Sequence, residues 1–351
     1  MTVELAQQLV RIPSFSRDHA AQRRVQDVCV DFVRSRVTAD ALTVRRSAGD
    51  DAPWTLLSVG EGGVLFACHT DTVPVGEGWS FDPHSGELKD GRLFGRGSVD
   101  MKGGLAAGID ALIYAAERGL ATSVLLTSDE EIGGFGAEAW AAQGSLNPRL
   151  VIIPEATDNT YSRGHRGADW LTVTATGRSA HGSTPQAGVN AIRLLSTAVI
   201  SLLDDAPINH DPYLGPDTIN LGTITGGTAP NMVPDSASMV LDCRTVAGGD
   251  DLVAWLEGLH PAISVERTLI RPALHARDTA GLLQGFEDVG PATYFTDGAL
   301  LQDAVGEAPI VIWGPGEPDQ MHTVGESLLL SSYDAAVKNY CSVVERAALG
   351  R

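Results

Sequence analysis

At 351 residues the chain is long enough for one large domain or two, since single hydrophobic cores stop growing at about 250–300 residues. Hydrophobic residues make up 43% and charged residues 20%, ordinary proportions for a soluble globular protein. The formal net charge of −19 argues against nucleic acid or an anionic membrane surface as a main partner, because both would repel it; small substrates and metal cations suit it better.

The N-terminal stretch "MTVELAQQLVRIPSF" places apolar residues at helical spacing without a continuous apolar core, so it does not read as a signal peptide. No run approaches the ~18 apolar residues that span a bilayer. Cys29, Cys68, Cys243 and Cys341 lie far apart with no C-x-x-C spacing, which suggests neither a disulfide framework nor a cysteine-ligated zinc site. A cytoplasmic enzyme is the expectation.

"VLFAC" (Val64–Cys68) is the first of four short apolar runs and leads into His69, with Asp71 two residues on. "LFGRGSVD" ends on Asp100, just before a helical pattern over Gly103–Gly119. "VLLTS" (Val124–Ser128) leads into Asp129, Glu130 and Glu131, and a shorter helical pattern follows over Gly136–Gly144. "LVIIP" (Leu150–Pro154) leads into Glu155, and "PIVIW" (Pro309–Trp313) into a Gly/Pro-rich loop containing His322. Runs rich in Val, Ile and Leu without alternation fit strands buried on both faces. Their alternation with helices predicts an α/β fold, a mostly parallel sheet with right-handed crossovers. Ligands of such sheets bind beyond the carboxyl ends of the strands, where these acidic residues and histidines converge.

Between the third and fourth runs the rhythm changes. "LTVTATG" (Leu171–Gly177) alternates like a half-exposed strand, and an amphipathic helix follows from about Val189 to Leu203. Two strands (Thr218–Thr225, Ser236–Arg244), a helix (Asp250–Leu259) and a strand (Ile263–Leu269) complete a βαββαβ order, the ferredoxin-like split unit. Residues 168–272 are therefore expected to form an α+β domain inserted into a catalytic domain of residues 1–167 and 273–351.

His69, Asp100, Glu131, Glu155 and His322 are candidate metal ligands. Imidazole and carboxylate together suit zinc, cobalt or manganese. Five protein ligands exceed the usual need of one zinc ion, so a bridging carboxylate would hold two ions about 3.5–4 Å apart. Asp100 is the candidate bridge; its plainer reading is a helix N-cap. Asp71, on the same side of an extended segment as His69, could orient the imidazole. The pair Glu130–Glu131 offers one carboxylate for metal and one for proton transfer. A phosphate-binding loop at "GRGSVDMKGG" fails on spacing.

The ordered set "HTDTVP", "GRGSVDMKGG", "SDEEIGG", "PEATD" and "MHTVGE" resembles the motif series of the dinuclear zinc aminoacylase and carboxypeptidase family. That family includes acetylornithine deacetylase, succinyl-diaminopimelate desuccinylase, aminoacylase-1 and glutamate carboxypeptidase. "GRSAHGSTPQAGVNAI" and "GGTAPNMVP" resemble its dimerisation, or lid, domain. The resemblance implies that His69 and Glu155 complete one metal site and Glu131 and His322 the other, with Asp100 bridging through a residue followed by a cis peptide. Asp71 would orient His69, Glu130 would be general base and acid, and His181 would reach the partner subunit's active site to polarise the scissile carbonyl. Asn231 and Arg244 match substrate-contacting positions, and Arg166, in "SRGHRGADW", is a further carboxylate-binding candidate. Where some relatives carry "GEPT", this chain reads "PEATD", with Ala156 in the proline's place.

The expected reaction is hydrolysis of an N-acyl-L-amino acid by a homodimer holding two divalent ions, most readily zinc. A dipeptidase or carboxypeptidase is the near alternative. A noncatalytic homodimeric binding protein would be expected to lack the base or a ligand.

Overall fold

The computed structural model describes residues 3–350. The domain bounds drawn from the sequence also take in Met1, Thr2 and Arg351, which lie outside the described residues. The chain divides into two compact units. The first ends at Gly164 and resumes over Leu274–Ala292 and from Thr296; the second comprises His165–Ala273 and Thr293–Phe295. The second unit thus starts at 165 rather than 168, ends at 273 rather than 272, and gains a short return segment that the sequence did not suggest.

The first unit is built on a six-stranded sheet in the order Thr43–Arg46, Thr55–Val59, Thr122–Thr127, Val64–His69, Leu150–Ala156, Ile310–Gly314. The last four are the apolar runs, paired in parallel, and every residue in them is buried. Their carboxyl ends therefore share one edge. The first two strands pair antiparallel and were not anticipated. The Leu150–Ala156 strand runs two residues past Pro154, so Glu155 lies on the strand rather than after it; likewise His69 closes its own strand.

The helix expected over 103–119 spans Lys102–Arg118 and stops at Gly119, which takes the left-handed conformation (φ 65°) that glycine adopts without a Cβ penalty. Gly104 permits close packing: a Cβ there would stand 2.0 Å from the Pro154 carbonyl oxygen. This helix buries Leu105, Ile109 and Leu112 in one core with Phe66, Val124, Ile152 and Val311. Each fully buried aliphatic side chain contributes about 1.5–3 kcal/mol. The C-terminal helix Leu330–Leu349 adds Tyr333, Val337, Tyr340 and Val344, a stripe at helical spacing.

The second unit carries a four-stranded antiparallel sheet in the order Thr218–Gly226, Ser236–Arg244, Ala168–Thr176, Ile263–Arg271. Helices Ala191–Asp205 and Asp250–Leu259 complete the βαββαβ order, with a two-residue ladder, His210–Asp211 on Gly215–Pro216, between. The first helix begins two residues later than Val189 because the Asn190 side chain caps it, accepting from the Arg193 N–H at 3.0 Å. Strand Ser236–Arg244 alternates, sending Ala237, Met239, Leu241 and Cys243 into a core with Leu171, Val173, Leu195 and Leu256. Strand Thr218–Gly226 is an exposed edge.

Among the described residues no helix is long and apolar enough to cross a membrane. All four cysteines are buried thiols.

Candidate metal centre

The first unit brings seven of the predicted residues to the carboxyl edge of its parallel strands. His69 and Glu155 come from strand ends. Glu130 and Glu131 come from a short 3-10 turn that follows strand Thr122–Thr127, Asp100 from the turn before the Lys102 helix, and His322 from a late loop. The Asp100–Met101 peptide is cis.

Asp100 is not the helix cap that its position allowed. The N-cap is Met101, with no side-chain bond, and the Asp100 carboxylate divides itself between two histidines. Its Oδ1 lies 3.1 Å from His69 Nε2, and its Oδ2 lies 3.0 Å from His322 Nε2. His69 Nε2 also lies 3.2 Å from Glu155 Oε1, and His322 Nε2 lies 3.0 Å from Glu131 Oε2. The result is two triads sharing one carboxylate. Ligand-capable atoms of His69, Asp100 and Glu131 all fall within 4.8 Å of one another.

The donor set fits divalent cations on two further observations. Glu131 Oε1 and Glu155 Oε2 are buried without a hydrogen-bond partner, a costly state that a cation would relieve. His69 Nδ1 donates to the Asp71 carbonyl at 3.1 Å, which leaves Nε2, the nitrogen facing Asp100 and Glu155, with the lone pair that could meet a cation.

Without a cation these groups shift one another's pKa values. Burial opposes a charge on His69, but Glu155, Asp100 and Asp71 hold its pKa well above the usual histidine range. Hydrogen bonds to Asp100 and Glu131 raise His322 to about 10. Burial would raise Asp100, yet His322 and His69 keep it well below the ordinary carboxylate range. Burial and the Asp100 charge push Glu155 up to about 7 and raise Glu131. Glu130 is raised well above its usual value, first by burial; His69 opposes the rise, and Asp297, Glu155 and Glu131 reinforce it. Bound cations reverse such repulsion and must displace the protons held there.

Asp71 lies against His69: its carbonyl accepts from Nδ1 at 3.1 Å and its carboxylate stands 3.4 Å from the same nitrogen. The carboxylate accepts from the Glu130 N–H at 3.1 Å, the Glu131 N–H at 3.3 Å and the Ser16 hydroxyl at 2.8 Å. It therefore ties the glutamate turn to the His69 strand end.

Several contributors escaped the sequence. Asp129, left-handed at φ 58°, accepts from the Arg17 N–H at 2.7 Å and Gln22 Nε2 at 2.8 Å, and pairs with His19 at 2.7 Å. Asp297 accepts from the Thr127 hydroxyl at 2.6 Å. Glu326 and Arg96 form a buried pair, Nη1 to Oε2 2.6 Å. Asp129 lies in "SDEEIGG", Arg96 in "GRGSVDMKGG" and Glu326 in "MHTVGE", but spacing alone gave none of them a role; His19, Gln22 and Asp297 lie outside those motifs.

Arg166, His181, Asn231 and Arg244 belong to the second unit. His181 and Asn231 are neighbours there, since the Gly182 N–H donates to the Asn231 carbonyl at 2.7 Å and His181 bridges Met232. His181 is exposed, and its Nδ1 accepts from the Ser183 N–H at 3.2 Å, which leaves Nε2–H as a donor. Arg244 pairs with Asp242 on its own strand, Nε to Oδ1 3.0 Å and Nη2 to Oδ2 3.1 Å. Arg166 Nη1 donates to the Pro216 carbonyl at 3.0 Å.

Residues 65–346 match the signature described as peptidase family M20/M25/M40. An acetylornithine deacetylase from Aliivibrio salmonicida is 31% identical over 307 residues, which cover 80% of each chain. Among solved structures, the aminopeptidase PepT from Bacillus cereus superposes with a TM-score of 0.77 at 20% identity, covering 99% of this chain and 98% of its own. YXEP from Bacillus subtilis, described as a dinuclear metal-binding peptidase, gives 0.69 at 14% identity, covering 97% and 96%.

Proposed function

This chain belongs to peptidase family M20/M25/M40, metal-dependent hydrolases of amide bonds, and on that premise we propose that it cleaves an N-acyl-L-amino acid into a free amino acid and a carboxylic acid. N-acetylornithine is the leading substrate candidate, on the strength of the deacetylases it is similar to. The observation that carries the reading is the division of the Asp100 oxygens between the His69–Glu155 and His322–Glu131 halves.

In this reading His69, Asp100 and Glu155 would hold one divalent ion, and His322, Glu131 and Asp100 a second, with zinc favoured over cobalt or manganese. When bound, the ions supply Lewis-acid chemistry, acidifying water and polarising the scissile carbonyl. Glu130 Oε accepts the proton of the attacking water and returns it to the departing amine nitrogen. A carboxylate suits both steps only when its pKa lies near the working pH, and burial pushes Glu130 in that direction. Asp71 fixes the Glu130 backbone, and so the approach of that carboxylate.

His181 of a neighbouring subunit would donate its Nε2–H to the carbonyl oxygen as negative charge develops there. Asn231, Arg166 and Arg244 would bind the substrate carboxylate; Arg244 would have to exchange part of its Asp242 pairing to do so. The homodimer would form through the second unit, whose exposed edge strand presents Leu221 and Ile224.

Amine release from N-acetyl, N-succinyl and N-formyl amino acids and from dipeptides tests this, using protein stripped of metal and reloaded with zinc or cobalt. Metal-dependent release from one acyl class is expected. Release from dipeptides alone would move the assignment to a dipeptidase, and silence with ions bound would overturn the deacylase reading.

A further inference from the structure

Glu326 is fully buried, and four donors converge on its carboxylate. Oε2 accepts from Arg96 Nη1 at 2.6 Å and the Gly97 N–H at 3.0 Å; Oε1 accepts from the Val99 N–H at 2.8 Å and the Asp100 N–H at 3.1 Å. Three of these donors are amides of a single turn, and that turn ends on Asp100. Glu326 itself stands four residues beyond His322, on the same loop. The link is reinforced by the Gly95 N–H on the Glu326 carbonyl at 3.0 Å. Arg96 Nη2 reaches toward the carbonyls of Pro74 and His322, at 3.5 Å each. One buried ion pair thus touches the segment that follows His69 and Asp71, the turn that carries Asp100, and the loop that carries His322.

We infer that the Glu326–Arg96 pair is a positioning device that sets the spacing between Asp100 and His322, and with it the affinity of the half-site those two residues share. The inference rests on the metal reading proposed above. A buried carboxylate is tolerated when charge-assisted donors satisfy it, and here all four hydrogen bonds join the turn that bears Asp100 to the loop that bears His322. His322 stands on a loop rather than a strand, with its side chain 54% exposed and its backbone in the left-handed conformation (φ 61°); the loop is otherwise held by the Arg92–Glu317 pair and by the Thr323 N–H on the Gln320 carbonyl. The Glu326 side chain contacts neither cation site directly, so it acts through Asp100 and His322.

A purely structural ion pair would also lower stability when broken, so stability cannot be the readout. The test is Co2+ binding, followed by its absorption spectrum against a competing chelator, for the full-length chain, E326Q and a control. E326Q keeps the side chain's size but turns an NH2 group toward N–H donors. The control is D169N, which disturbs the ion pair of the buried Asp169 with the partly exposed Arg267 in the second unit. We expect E326Q to weaken one of two bound ions by about ten- to a hundredfold, the scale for partners that orient metal ligands. D169N should bind as the unaltered chain does. If the unaltered chain takes up no Co2+, the metal reading itself fails. If it takes up two ions and E326Q matches it within about twofold, the positioning inference alone is overturned. Should E326Q not fold, R96K, which keeps the charge but loses the forked geometry, is read by the same criterion.

Discussion

His69 and Glu155 stand on buried parallel strands with side-chain exposures of 1% and 5%, whereas His322 stands on a loop with 54% of its side chain exposed. Glu131, 7% exposed, sits in a short turn whose backbone is held by Asp71. One half of the cluster is thus located by the sheet, through ladder bonds and close packing. The other is located by side-chain carboxylates, Asp71 for the glutamate turn and Glu326 for the histidine loop. Rigid elements fix ligands without help, while loops need buried ties, and those ties are where a loop-borne site is vulnerable.

The largest effect separates proton transfer from both halves. E130Q should lower kcat by about two to four orders of magnitude while metal uptake stays at the level of the unaltered chain. A matching loss of metal would place Glu130 among the ligands instead. Next comes a direct contrast between the halves. H69A leaves buried carboxylates facing each other and should destabilise the metal-free protein by about 3–5 kcal/mol in urea unfolding. H322A strands the buried Asp100 and Glu131 carboxylates too, but beside a side chain half open to water, and should cost less, about 1–3 kcal/mol. Equal losses would break the distinction between a sheet-held and a loop-held half.

D71N then probes the tie on the glutamate turn. An amide offers one acceptor where Asp71 now receives three donors, and it removes the charge beside His69 Nδ1, so metal affinity or kcat/KM should fall by about ten- to a hundredfold. The smallest effect probes the sheet-held half. G104A sets a methyl group against the Pro154 carbonyl and should cost about 1–3 kcal/mol, read from the urea midpoint. Unchanged stability would mean that the helix can slide on the Glu155 strand.

The same division explains what the sequence made legible. The strands of the catalytic sheet announced themselves as unbroken apolar runs because both faces are buried, and the residues that follow them pointed to the cluster. The edge strand Thr43–Arg46 is largely exposed and carries no apolar run, and in its buried neighbour Thr55–Val59 the run is cut short by Thr55 and Ser58. Helix His19–Arg34 also went unread, although Ala21, Val25, Cys29 and Val33 recur every four residues. The ties were illegible for a different reason. That Asp71 reaches two amides of the glutamate turn besides the imidazole, and whether Glu326 is solvated or buried against Arg96, depends on which segments meet in the fold, and spacing along a chain carries no such information.

Sharing one carboxylate has a thermodynamic consequence for loading. If the two cations proposed above are held on either side of Asp100, the first to bind would change the charge and the orientation that the carboxylate offers the other half, so the two occupancies would be linked, and reciprocally. Two separate stoichiometric constants then describe the pair, not either half alone. If ordering of the carboxylate dominates, the second ion follows the first and intermediate loading is scarce. If repulsion between the ions dominates, a singly loaded chain accumulates over a broad span of free metal. The separation of the two steps in a chelator titration measures that coupling free energy, a property of Asp100's two-sided placement.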